Sequence, residues 1–146
     1  MSLQDLLDEG RLEQRPTSRE EIVELLKTAS RALGDASVEQ VSLDGRFNHA
    51  YDAALLLATI PLRCAGYRTR GEGHHQTVFS VLPEVMGGAA QRVARYLQKC
   101  RTIRNRSTYS RSGIVSKSEV KELISRVEDF RSAVGEWLKD TYPQYC

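Results

Sequence analysis

Arg101, Arg104, Asn105, Arg106 and Tyr109 fall close together and supply two kinds of chemistry. Guanidinium forks match phosphate or carboxylate oxygens in pairs, and an amide and a phenol add hydrogen bonds or a stacking face. Arg101 and Arg104 stand three apart, and Asn105 and Tyr109 four apart, so on a helix each pair projects from one side. The alternative for the same residues is structural: Arg104 and Asn105 cap carbonyls and pair with acids of the last helix, such as Glu122 or Asp129.

The surroundings of this cluster are strongly basic. Between Glu84 and Glu119 the chain carries Arg92, Arg95, Lys99, Arg101, Arg104, Arg106, Arg111 and Lys117 and no carboxylate, a formal +8. Residues 1–86 have thirteen acids and nine bases, hence −4, and residues 119–146 have six acids and four bases, hence −2. The overall formal charge of +2 therefore conceals a polarised molecule. Such a field favours an anionic partner: RNA, a nucleotide or an acidic protein face.

The histidines and cysteines are less suggestive. His49 precedes Asp52 by one turn, and His74-His75 open a later segment, with no HxxxH, HExxH or Cys/His cluster to complete a metal site. No metal or other cofactor is expected, and His75 is expected to cap its helix or pack on Tyr51. Cys64, Cys100 and Cys146 are an odd, widely spaced set that fits a reducing, cytoplasmic setting. No phosphate-binding glycine loop and no serine elbow is present.

The elements that must position these groups read as helices. Leu3, Leu6, Leu7 and Leu12 suggest a short helix over 3–14, interrupted at Gly10 and ended by Pro16. Thr17 with Glu20, or Ser18 with Glu21, makes a capping box for a helix whose apolar face runs from Ile22 to Leu33 and stops at Gly34. Asp44 is a plausible N-cap for a segment apolar around much of its circumference, from Phe47 to Ala65, with Pro61 expected to kink it; such a helix belongs at the centre of a bundle. His75 to Met86 forms a shorter amphipathic stretch ended by Gly87-Gly88. Val93, Leu97, Cys100 and Ile103 give the basic segment one buried face, and that helix ends near Tyr109 before a turn at Ser110–Gly113. Ser116 and Glu119 box the last helix, whose apolar stripe continues to Leu138. No strand pattern is visible. The expectation is one all-α domain over 1–146, an antiparallel up-and-down bundle of four to five helices with its core in 18–140. No apolar run reaches membrane-spanning length, and no signal peptide is expected.

The segment Cys100-Arg-Thr-Ile-Arg-Asn-Arg-Ser-Thr-Tyr109, followed by a loop and a long amphipathic helix, resembles the end of a HEPN domain (higher eukaryotes and prokaryotes nucleotide-binding). Phe47-Asn-His-Ala-Tyr-Asp-Ala-Ala54 and the stretch from Cys64 to His75 resemble the second helix and following loop of bacterial members, so the likeness covers roughly residues 18–140. It implies either a metal-independent ribonuclease, built on Arg, four to six residues, then His across a homodimer, or a nucleotide- or RNA-binding module. Such modules are often paired with a nucleotidyltransferase in toxin–antitoxin systems. Arg104 and Asn105 match the start of the motif, but Tyr109, Ser110 and Arg111 occupy the histidine positions. Histidine removes a 2′-hydroxyl proton because its pKa is about 6.5, whereas a phenol at about 10 stays protonated. The reading that follows is a nucleotide- or RNA-binding bundle acting through Arg101, Arg104, Asn105, Arg106 and Tyr109, without efficient ribonuclease activity and with no catalytic residue assigned. The alternatives are an endoribonuclease toxin using Arg104 with Tyr109 or a histidine from elsewhere, and a protein-interaction subunit that makes no nucleic-acid contact.

Overall fold

The structure, a computed structural model, describes residues 2–109 and 113–146, and of Ser107, Thr108 and Tyr109 the backbone alone. Its centre is one helix, α3 (Leu43–Cys64), because this helix is apolar on nearly every side. Phe47, Tyr51, Leu57, Ile60 and Leu62 are buried along it, and Ala50, Ala53, Ala54 and Ala58 keep its surface low enough for neighbours to approach closely. Four helices pack on it: α2 (Arg19–Ala36), α4 (His74–Met86), α5 (Gln91–Tyr109) and α6 (Lys117–Thr141). A six-residue helix, α1 (Leu3–Asp8), precedes them, so the described residues hold five long helices and one short one in an all-α bundle. None of these helices is long and apolar enough to cross a membrane.

Several boundaries differ from the sequence reading. Helix α1 ends at Asp8, with Gly10 in the left-handed region at φ 76°, and Leu12 sits in a strand instead. That strand, β1 (Leu12–Gln14), pairs antiparallel with β2 (Tyr67–Thr69) through Leu12↔Thr69, Glu13↔Arg68 and Gln14↔Tyr67. Three residues are too few to show alternation, which is why no strand pattern was visible. Helix α2 is capped in the second of its two registers, Ser18 Oγ accepting from Glu21 N, and it runs through Gly34 to Ala36. Interior glycine costs a helix about 1 kcal/mol, which the packing of Leu33 and Ala36 offsets. Helix α3 is capped by Ser42, not Asp44; Asp44 lies in the first turn, where its Oδ2 accepts from Gly113 N at 2.7 Å. The Ser116–Glu119 capping box on α6 forms as expected. Of the turn expected at Ser110–Gly113, the first three residues lie outside the described residues.

Glu21 joins three elements. Its Oε1 accepts from Arg63 Nη1 on α3 at 2.7 Å and from Thr17 Oγ1 at 3.0 Å, and its Oε2 accepts from Arg68 Nη2 on β2 at 2.6 Å. Burial alone would raise this carboxyl, but the hydrogen bonds from Arg63 and Thr17 and the charges of Arg63 and Arg68 hold it below its ordinary value. The N-terminal segment is tied down further along. Arg15 N donates to Gly66 O at 2.8 Å, Arg70 N to Arg11 O at 2.8 Å, and Arg11 Nη2 to the buried Thr77 Oγ1 at 2.8 Å. The loop that leads into α4 is thus held from both sides.

Candidate anion-binding site

Helix α5 sends its functional side chains in three directions. Ala94, Leu97 and Cys100 are buried against the core, and Arg104, one turn beyond Cys100, follows them inward. Its guanidinium lies over the ring of Tyr51, 5.6 Å from the centroid, and its buried Nε has no hydrogen-bond partner among the described residues. This cation–π contact fixes Arg104 against α3. Arg101 and Asn105 turn instead toward the start of α4, while Arg92, Arg95, Lys99 and Arg106 are exposed on the outer face.

A pocket of about 170 Å³ opens between α4 and α5, lined by Gly73, His74, His75, Gln76, Arg101 and Asn105. Two links set its width: Arg101 Nε donates to Gln98 Oε1 at 3.0 Å, and Gln98 Nε2 donates to Gln76 O at 3.0 Å. Gly73 caps α4 with φ 72° and makes no side-chain cap bond, so the first-turn N–H groups of α4 have no side-chain acceptor among the described residues. Glycine is needed there because an L side chain in this left-handed conformation costs about 1 kcal/mol. Uncapped N–H groups, the positive end of the helix dipole and a guanidinium together favour an anion.

His75 forms the inner wall. Its Nδ1 and the Tyr51 hydroxyl share a hydrogen bond at 3.1 Å, the contact with Tyr51 that the sequence suggested. Tyr51 is fully buried and packs edge-on against Phe79, which pushes its phenol above the ordinary value. Burial, then His74, Arg104 and Arg101, lower the His75 imidazole to about 4. Burial raises the Asp52 carboxyl against the pull of Arg104 and His49. His75 is therefore neutral near pH 7 and a weak base, and Tyr51 stays protonated.

Among the described residues, no carboxylate lies within 4.0 Å of the charged groups of Arg92, Arg95, Lys99, Arg101, Arg104 or Arg106. The pairing of Arg104 with Glu122 or Asp129 does not form; Glu122 holds Arg126 at 3.5 Å, and Arg126 lies 4.4 Å from the ring centroid of Tyr96. The expected cluster is thus divided: Arg101 and Asn105 share the pocket, Arg104 lies behind it on Tyr51, and Arg106 is exposed away from it. The side chain of Tyr109 lies outside the described residues. Sequence reasoning missed the main chain of Gly73–Gln76 and the bridging Gln98; the closely spaced Gly71 and Gly73 ahead of a helix were the available signal. Among the described residues no three His, Cys, Asp or Glu side chains are grouped to hold a metal ion. A larger furrow of about 280 Å³ lies between α5 and α6, where Arg92, Arg126 and Asp129 flank Val93 and Phe130.

No family model, curated protein or solved structure matches the chain.

Proposed function

We propose that this chain is a HEPN-like helical bundle that binds RNA or a nucleotide by its phosphate, without efficient ribonuclease activity. The observation that carries the reading is the pocket in which the uncapped start of α4 faces Arg101 and Asn105. Weak basicity at His75 and the buried, protonated Tyr51 argue against proton abstraction there. The test uses labelled single-stranded RNA and labelled ATP in a metal chelator, with wild type, Arg101→Ala and Arg104→Ala side by side. Retention without cleavage, weakened at least tenfold by Arg101→Ala, supports the reading; no retention of either ligand refutes it and leaves a protein-interaction subunit.

One observation favours a second reading. His74 is exposed and lines the same pocket as Arg101 and Asn105, a histidine brought from outside the basic helix. In this reading the chain is a metal-independent endoribonuclease, and cleavage lost in His74→Ala would establish it. The resemblance also implies a homodimer and a nucleotidyltransferase partner. Solution mass and co-purification with such an enzyme test these.

A further inference from the structure

The outward cations of α5 form a feature separate from the pocket. Arg92, Arg95, Lys99 and Arg106 recur at three-, four- and seven-residue steps, so they lie within an arc of about 60° on one helix face. The row is about 21 Å long at 1.5 Å per residue. All four are exposed, and none has a carboxylate within 4.0 Å among the described residues. The exposed faces of α2 and α6 differ in kind. There Arg19, Glu20, Glu24 and Lys27 mix the two signs, as do Lys121, Glu122 and Arg126.

This row works against the helix that carries it. Like charges three and four residues apart repel, and Arg92 and Arg95 stand near the positive end of the α5 dipole with no acid in the first turn. The arrangement is not explained by the stability of α5. One flank is bounded by Glu122 and Asp129 of α6, and the other leads around the helix to Arg101 and Asn105. A polyanion on the row thus meets Glu122, paired with Arg126, and Asp129 on the α6 side, whereas the pocket lining carries no acid. The pocket, at about 170 Å³, is smaller than the roughly 300–1,000 Å³ that encloses a whole small molecule. It has room for a phosphate group with the rest of its ligand outside. Tyr96 is turned toward Arg126, so among the described residues the row offers no aromatic surface for base stacking.

We infer that the ligand is a single-stranded RNA chain whose backbone follows Arg92, Arg95, Lys99 and Arg106 while one phosphate sits in the pocket beside Arg101, bound without regard to base sequence. This rests on the RNA- or nucleotide-binding reading above. A flexible strand can turn one phosphate into a recess, which a stiff duplex cannot, and a free nucleotide would leave the row unused.

The test is the salt dependence of binding to labelled polyuridylate and polyadenylate of about 20 nucleotides, longer than the roughly 4–16 covered by one strand-binding groove. Five phosphate contacts, four on the row and one beside Arg101, give wild type a log–log slope of about −3.5, so affinity falls about 130-fold between 50 and 200 mM salt. The double variant Arg95→Gln, Lys99→Gln should bind both RNAs more weakly, fall only about 18-fold over that range, and melt no lower than wild type. An unchanged slope in the double variant overturns the inference while leaving RNA binding intact. Wild type that retains ATP but not RNA also overturns it, and a lowered melting temperature would make the row structural. Polyglutamate bound as tightly as RNA would assign the row to an acidic protein, again overturning the inference. Failure to retain either RNA or ATP sinks the underlying reading itself.

Discussion

His75 supplies a prediction that can be worked from the structure. In the folded chain its imidazole gives up its proton at about 4, against an ordinary value of 6.5, because of burial first and then the charges of His74, Arg104 and Arg101. Between those two pH values the unfolded chain takes up a proton that the folded chain refuses. Stability is therefore full above pH 6.5, falls as pH drops through that value, and levels off below the folded pKa. At about 1.36 kcal/mol per pH unit the gap corresponds to roughly 3.4 kcal/mol, but the ring is only partly shielded, and screening reduces this to about 1–2 kcal/mol. The assay is urea unfolding at pH 7.0 and pH 4.5 on wild type and His75→Gln, with Glu21 and Asp52 intact in both. Wild type should lose about 1–2 kcal/mol more than the variant across that range. A phosphate held beside Arg101 offsets the cations around the ring, so inorganic phosphate should raise the His75 titration seen by NMR. An imidazole titrating near pH 6.5 in the free protein, or equal losses in the two proteins, would refute the reasoning.

Three further outcomes follow from the same geometry. Glu21→Gln removes a carboxylate that joins α2 to Arg63 and Arg68. It should cost about 1–2 kcal/mol at pH 7 by chemical denaturation, less as pH falls through the lowered Glu21 pKa, because wild type then loses the same interaction. Leu57→Ala should cost about 2–5 kcal/mol by thermal or urea unfolding, since Leu57 is fully buried on the central helix. Gly73→Ala meets no atom within 4 Å, so its cost is backbone strain alone. About 1 kcal/mol of stability and weaker phosphate retention, by calorimetry on one sample, are expected.

Much of the architecture was legible because the long helices declare themselves. The apolar circumference of α3 placed it at the centre, and Ser116 with Glu119 marked the start of α6. The misplaced boundaries share a cause: each was decided by tertiary packing. Gly34 reads as a stop until Leu33 and Ala36 are seen buried, and Asp44 reads as a cap until Gly113 is found bonded to it. The site was half legible. Arg101 and Arg104 do leave α5 about 60° apart, as their spacing requires. That sector, however, is where α4 meets α3, so one side chain enters the pocket and the other covers Tyr51. The start of α4 could not be joined to Arg101 from sequence, since nothing local relates the two segments.

The two short strands have a consequence for how the protein is handled. No residue of α1 or β1 lines the pocket, yet Arg11 reaches Thr77 inside α4 and β1 clasps β2 just ahead of Gly73. The first fourteen residues therefore work as a buckle on the rim that presents His74 and His75. A chain trimmed to its long helices would lose Leu6 and Leu12 from its core together with the hold on that rim. Weak binding by such a trimmed chain would report the missing buckle and leave Arg101 untested.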